Sequence, residues 1–152
     1  MLLEMNAPIH GWLPILVDLG DFKLQAEASN VPCDPIEGLL KVLRLCWSGG
    51  QGVERVVLFE EPFGWGLDFS CTGKSPKCSI QVWSAWNWSM VNNVRSPKLR
   101  HETEIDRLSV GKAIATSINE MLRTFPRETL TDWNPEQTYA RTFSEIQKTR
   151  LY

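Results

Sequence analysis

The chain has 152 residues and a formal net charge of −2, with 43% hydrophobic and 22% charged residues. A chain of this length fits one domain and can bury about two thirds of its unfolded surface, so we expect a single domain over residues 1–152. The hydrophobic content argues against wholesale disorder, and the near-neutral charge argues against a basic nucleic-acid-binding surface. The start of the chain lacks the pattern of a secretory signal, and no run approaches the roughly 20 apolar residues of a membrane span. We therefore expect a cytoplasmic protein with no nucleic-acid or membrane partner.

The first third of the chain predicts two strands followed by a helix. Strands are expected over Ile15–Leu19 and over Phe22–Ser29, where apolar and polar residues alternate. The helix is expected to begin with Asp34 as N-cap, Pro35 at the first helical position and Glu37 closing a capping box. Apolar residues then recur at three- and four-residue steps and form one stripe: Ile36, Leu39, Leu40, Leu43, Cys46 and Trp47.

The middle of the chain predicts an antiparallel meander of strands over Val53–Glu60, Trp65–Cys71 and Cys78–Met90. Alternation is most regular in the last of them. One face of that strand carries Cys78, Ile80, Val82, Trp86, Trp88 and Met90. Trp83 falls on the other face, because successive side chains of a strand point to opposite sides. We expect the first set to face the core and Trp83 to point outward, unshielded.

The last third predicts a short edge strand over Leu99–Ile105 and two helices. The first helix spans about Ser109–Phe125, and the second is expected to begin with Asn134 as N-cap, followed by Pro135. The order of the elements indicates an α+β fold. We expect two layers, in which a mostly antiparallel sheet of about five to six strands has helices packed on one face.

Four cysteines, Cys33, Cys46, Cys71 and Cys78, are scattered without a C-x-x-C pair. Zinc ligands normally occur about two to four residues apart, so the spacing favours free thiols packed as small hydrophobic groups. Cys71 and Cys78 flank an expected hairpin loop and could face each other across it. The chain also lacks a complete phosphate-binding loop, a nucleophile elbow and a zinc-protease motif. We therefore expect no metal, no cofactor and no catalytic residue.

Four residues form the candidate partner-binding site: Glu60, Glu61, Asp68 and Trp83. The carboxylates flank or face one predicted hairpin, and an acidic patch favours association with a basic partner. Tryptophan is enriched among the residues that dominate protein interfaces. Two alternatives stay open. A pocket lined by carboxylates and a histidine would indicate a small enzyme or ligand-binding domain, and an assembly that buries Trp83 would indicate a structural subunit.

Several short segments follow one another along the chain: Trp12-Leu13-Pro14 leading into a strand, Gly20-Asp21-Phe22, Val31-Pro32 before the Asp34-Pro35-Ile36-Glu37 helix start, and the meander from Val53 to Phe69. In this layout nearly the whole chain resembles the small bacterial immunity proteins encoded beside polymorphic or contact-dependent growth inhibition toxins. The resemblance implies a non-enzymatic cytoplasmic protein that binds a cognate toxin C-terminal domain, often a basic nuclease, and blocks its active site or its access to a target. The near-neutral charge departs from the strongly acidic composition of some nuclease inhibitors.

Overall fold

The computed structural model describes residues 1–31, 33–73, 75–86, 95–134 and 138–149, without the side chains of residues 95 and 96. The strands are β1 (Leu2–Met5), β2 (Trp12–Asp18), β3 (Lys23–Ser29), β4 (Gly52–Phe59), β5 (Phe63–Cys71), β6 (Lys77–Trp86) and β7 (Arg95–Asp106). The helices are α1 (Pro35–Trp47), α2 (Arg107–Thr124), α3 (Arg127–Trp133) and α4 (Tyr139–Lys148). All strands join one antiparallel sheet in chain order. The predicted α+β class is confirmed, and the sheet of the described residues has seven strands rather than five or six.

Several elements differ from the predicted ones, and the short helix α3 has no predicted counterpart. β1 has only four residues, too few to show a period, and the sequence patterns miss it. β7 has twelve residues and is longer than the predicted Leu99–Ile105 strand at both ends. The predicted helix start at Asn134 is wrong, because Asn134 is the C-cap of α3 and α4 begins only at Tyr139. Pro135 lies outside the described residues.

Asp34 anchors the start of α1 and joins it to the C-terminal helices. Its Oδ1 accepts the N–H of Ile36 at 2.8 Å, which confirms the N-cap prediction, and Pro35 is the first helical residue. Its Oδ2 accepts hydrogen bonds from the Asn134 side-chain amide at 2.8 Å and from the Tyr139 hydroxyl. Burial, together with the bond to Asp34, raises the pKa of the Tyr139 phenol. One carboxylate therefore fixes the start of α1, the end of α3 and the start of α4.

The hydrophobic core surrounds α1. All six residues of its predicted stripe are buried, and Val42 and Leu45 are buried as well, so the helix is enclosed on most sides. Buried and partly or fully exposed residues alternate along β2 and β3, as expected for strands with one face on the core. No helix among the described residues is both long and apolar enough to cross a membrane. One cluster of buried hydrophobic residues extends from Leu3 to Ile146 and links nearly all of the elements.

The sheet is narrowest between β3 and β4. These strands share one residue pair, Ser29 opposite Phe59, whereas β4 and β5 pair along eight positions. The sheet curves so that the turn between β2 and β3 meets β7. There the rings of Phe22 and His101 stack with centroids 4.9 Å apart, and Nε2 of His101 lies 3.2 Å from Oδ1 of Asp21. The narrow junction leaves a gap at the end of β4, where two of the predicted site residues lie.

Candidate functional site

Glu60 spans the gap between β3 and β4 with hydrogen bonds of its own. It directly follows Phe59, the last residue of β4. Its Oε1 accepts the backbone N–H of Glu27 in β3 at 3.0 Å, and its Oε2 accepts the indole N–H of Trp65 in β5 at 3.2 Å. Hydrogen bonds to a charged carboxylate are stronger than those between neutral groups. Glu60 therefore stabilises the sheet, since both of its oxygens already have partners within the chain.

An acidic cleft, lined by Trp12, Glu27, Glu60 and Glu61, opens beside this bridge and has a volume of about 290 Å³. Glu27 and Glu61 are exposed, whereas Trp12 and Glu60 are half-buried. The exposed carboxylates of Glu27 and Glu61 beside this indole suit a cationic group, which gains from the opposite charge. The volume lies at the lower end of small-molecule sites.

An aromatic strip, formed by Phe63, Trp65 and Trp86, continues from the acidic cleft. The bond from the Trp65 indole to Glu60 joins the strip to the cleft. Phe63 packs edge-on against both tryptophans, with ring centroids 5.5 Å from Trp65 and 5.9 Å from Trp86. Trp86 is 54% exposed, so the expectation that it is buried in the core is wrong. The strip therefore presents a large aromatic side chain beside a group of carboxylates.

Trp86 keeps the parity of the core face but lies beyond the edge of the core. β6 pairs with β5 without a register shift up to Phe63 opposite Trp86, and the extra residues at the two register shifts between β6 and β7 belong to β7. The ring of Trp86 packs on Phe63 at the end of the strand. Before these shifts the prediction is confirmed, since every second residue from Cys78 to Val82 is buried. Trp88 and Met90, the other predicted core residues, lie outside the described part of the chain.

Trp83 points away from the main core, as predicted, but it is half-buried rather than unshielded. It packs with Val57, Phe59 and Ala85 in a separate small cluster on the outer face of the sheet. Gly66 stands between Val57 and Trp83 in the register, and its missing side chain leaves room for the indole to lie across β5. The indole nitrogen is buried with no acceptor among the residues described. Trp83 thus covers a glycine of the sheet, and its role in binding stays a prediction.

Asp68 also lies on the outer face, where Arg55 neutralises its charge. The two residues face each other across β4 and β5, with Oδ1 of Asp68 2.5 Å from Nε and Oδ2 2.6 Å from Nη2 of Arg55. This paired hydrogen bonding raises the pKa of the Arg55 guanidinium. The structure thus brings Glu60 and Glu61 together in the acidic cleft and places Asp68 and Trp83 outside it.

Neither histidine lines the acidic cleft. His101 contacts the turn between β2 and β3, and about six residues of extended strand, or about 20 Å, separate that turn from the cleft. His10 lines a separate cleft with Asp132 and Trp133. Neither histidine therefore lies with Glu27, Glu60 and Glu61; each lies near a different carboxylate, His101 near Asp21 and His10 near Asp132.

The sequence patterns miss several residues around the acidic cleft. Trp12 precedes the first predicted strand, and Trp86 is assigned to the core by its parity. Trp12 reaches the cleft beside Glu61, and Trp86 reaches Phe63, through contacts between separate strands, which leave no local signal. The one available signal is the spacing of Phe63 and Trp65, which places two aromatic rings on the same side of one strand.

Comparisons of the chain with models of protein families, with curated proteins and with solved structures find no match. The acidic cleft and the aromatic strip are therefore the observations from which we infer a function.

Proposed function

We propose that this chain is a non-enzymatic immunity protein, which binds and neutralises a cognate toxin domain through the acidic cleft and the aromatic strip. The observation that carries the proposal is Trp86, which is 54% exposed and joined to the cleft through packed aromatic rings. Residues that dominate protein interfaces are often tryptophans that a partner buries completely. Carboxylates around such an anchor favour a basic partner and speed its encounter with the surface.

The acidic cleft indicates the chemistry of the partner. Glu27 and Glu61 are exposed carboxylates that can pair with a lysine or arginine, and half-buried Trp12 lines the same cleft. Nuclease domains carry such basic side chains where they contact phosphates. A partner held by these side chains would lose its access to nucleic acid, which is the inhibition that the resemblance to immunity proteins implies. Asp68 and Trp83 are proposed as an extension of the interface on the outer face.

A growth assay tests this proposal. The product of the neighbouring gene, which the proposal requires to be a toxin, is expressed in a bacterial host, alone and together with the chain. We expect the wild-type chain to restore growth and the variants Trp86→Ala and Glu61→Lys to restore it less. Val53→Ala is the matched control, because Val53 is 62% exposed at the opposite end of β4.

The results distinguish between an error in the proposed function and an error in the proposed interface. Failure of the wild-type chain to restore growth would overturn the immunity function. Full rescue by both variants would leave the function standing and remove the acidic cleft and the aromatic strip as its interface. The melting temperatures of the variants are measured in parallel, since only folded variants report on binding.

A further inference from the structure

Three cysteines that are far apart in the sequence meet at one end of the core. Cys46 lies in the last turn of α1, Cys71 ends β5, and Cys78 lies opposite Cys71 near the start of β6. Their Sγ atoms all lie within 4.8 Å of one another, and the three residues are at most 2% exposed. The ligand spacing that marks most zinc sites in a sequence is absent, because each thiol comes from a different element.

A buried cation stands beside this thiol cluster. Arg107, the first residue of α2, is 6% exposed, and its Nε donates to the carbonyl oxygen of Cys46 at 3.0 Å. Its other recorded acceptors are also backbone carbonyl oxygens, of Leu45, Gly50 and Gly73. Carbonyl groups satisfy the N–H donors of Arg107 but do not neutralise its charge. An anion in the thiol cluster would therefore be stabilised by a positive charge that is already fixed in the core.

We propose that Cys46, Cys71 and Cys78 bind one soft monovalent metal ion of the Cu(I) class. Thiolate ligands select soft ions, and three sulfurs at about 2.3 Å from a central metal lie about 4 Å apart, close to the observed arrangement. Small side-chain rotations would complete such a site. A disulfide, in contrast, would require two of the sulfurs to approach to about 2.05 Å.

The number of ligands favours Cu(I) over zinc. Binding of one Cu(I) displaces three thiol protons, which leave to solvent, because each sulfur coordinates as the thiolate. The resulting site has a charge of −2, of which Arg107 offsets one unit. Zinc in structural sites takes four protein ligands, and the group of converging ligand atoms in the described chain contains these three only.

The full-length chain, reduced and free of oxygen, is titrated with the coloured complex of Cu(I) and bicinchoninate. We expect the wild-type chain to withdraw one equivalent of Cu(I). Serine at Cys46, Cys71 or Cys78 should weaken binding by more than the roughly 10–100-fold that loss of an outer-shell partner costs. Cys33→Ser is the matched control and should bind as the wild type does, because Cys33 lies outside the thiol cluster.

Several results would overturn the proposal. The proposal is wrong if the wild-type chain withdraws no Cu(I), if Cys33→Ser loses binding, or if the chain binds Zn(II) that Cu(I) fails to displace. Because serine in the core can prevent folding, X-ray absorption of the copper-loaded wild-type chain gives a second test. Three sulfur neighbours around copper support the site, and nitrogen or oxygen neighbours, or only two sulfurs, contradict it.

Discussion

Replacement of Arg107 by methionine would remove the charged group that closes the C-terminal end of α1. The last carbonyl groups of a helix have no partners within it, and the guanidinium supplies donors to two of them, those of Leu45 and Cys46. It also donates to Gly50 at 2.6 Å and to Gly73 at 3.3 Å, in the loops that follow α1 and β5. A positive charge at this end of a helix is further favoured by the helix dipole.

The expected loss of stability follows from the hydrogen bonds that methionine cannot donate. Methionine keeps most of the aliphatic volume but leaves the carbonyl groups of Leu45 and Cys46 buried without donors, at about 1–3 kcal/mol each. It also removes the cost of burying a cation, which offsets part of the loss. We expect the free energy of unfolding to fall by about 2–3 kcal/mol.

Urea denaturation followed by circular dichroism measures this change. For a urea dependence of about 2 kcal/mol per molar, the midpoint should fall by about 1 M with an unchanged slope. Arg123→Met is the control, because the Arg123 side chain is 71% exposed and its ion pair with Glu120 contributes at most about 0.5 kcal/mol. A loss at Arg107 no larger than the loss at Arg123 would refute the role assigned to the buried guanidinium.

Three further predictions concern single groups. Glu60→Ala should lower the free energy of unfolding by about 2 kcal/mol, because two N–H groups lose their acceptor, and Glu61→Ala by less than about 0.5 kcal/mol. Equal effects in urea denaturation would contradict the bridging role of Glu60. Asp106, the N-cap of α2, has its pKa lowered below 3.8 by hydrogen bonds from the Ser109 backbone N–H and side chain. Its contribution to stability is therefore complete above about pH 4 and is lost as the pH falls through the lowered pKa. Asp106→Ala should accordingly be less stable than the wild type near neutral pH and approach it in acid, and a gap that widens in acid would contradict this. Cys33 is partly exposed and the other three cysteines are buried, so one thiol of the native chain should react quickly with Ellman's reagent and three only on unfolding. Rapid reaction of two or more thiols would contradict the burial of Cys46, Cys71 and Cys78.

Local signals predicted most of the fold. The apolar stripe and the Asp34-Pro35 start of α1 are confirmed, because both depend only on residues within one or two helical turns. Asn134-Pro135 has the same local form, but the side chain of Asn134 bonds to Asp34 instead of capping a helix, and α3, with seven residues, is too short to show a clear period. A tertiary contact here overrides a local preference. The apolar face of α4 is visible in the sequence, since Tyr139, Phe143 and Ile146 recur at helical steps and all three are buried.

The candidate site was harder to predict, because it depends on how the strands pair and on how α1 packs against the sheet. The prediction that Cys71 and Cys78 could face each other across the hairpin is confirmed, since a hairpin places its flanking residues opposite each other. The approach of Cys46 could not be foreseen, because it depends on how α1 docks on the sheet. Alternation also assigned Trp86 to the core, since the parity of a residue does not report where along β6 the core ends.

Trp86 offers the most direct test of the proposed interface. Its exposed 54% corresponds to about 130 Å² of aromatic surface, for a side chain of about 250 Å². Burial of this area by a partner is worth about 3 kcal/mol, or about 100-fold in Kd. The decisive measurement is the Kd of the toxin domain for wild type, Trp86→Ala and Val53→Ala by titration calorimetry. We expect a loss of about 100-fold for Trp86→Ala and less than about threefold for Val53→Ala. Wild-type affinity in a folded Trp86→Ala variant would contradict binding through the aromatic strip.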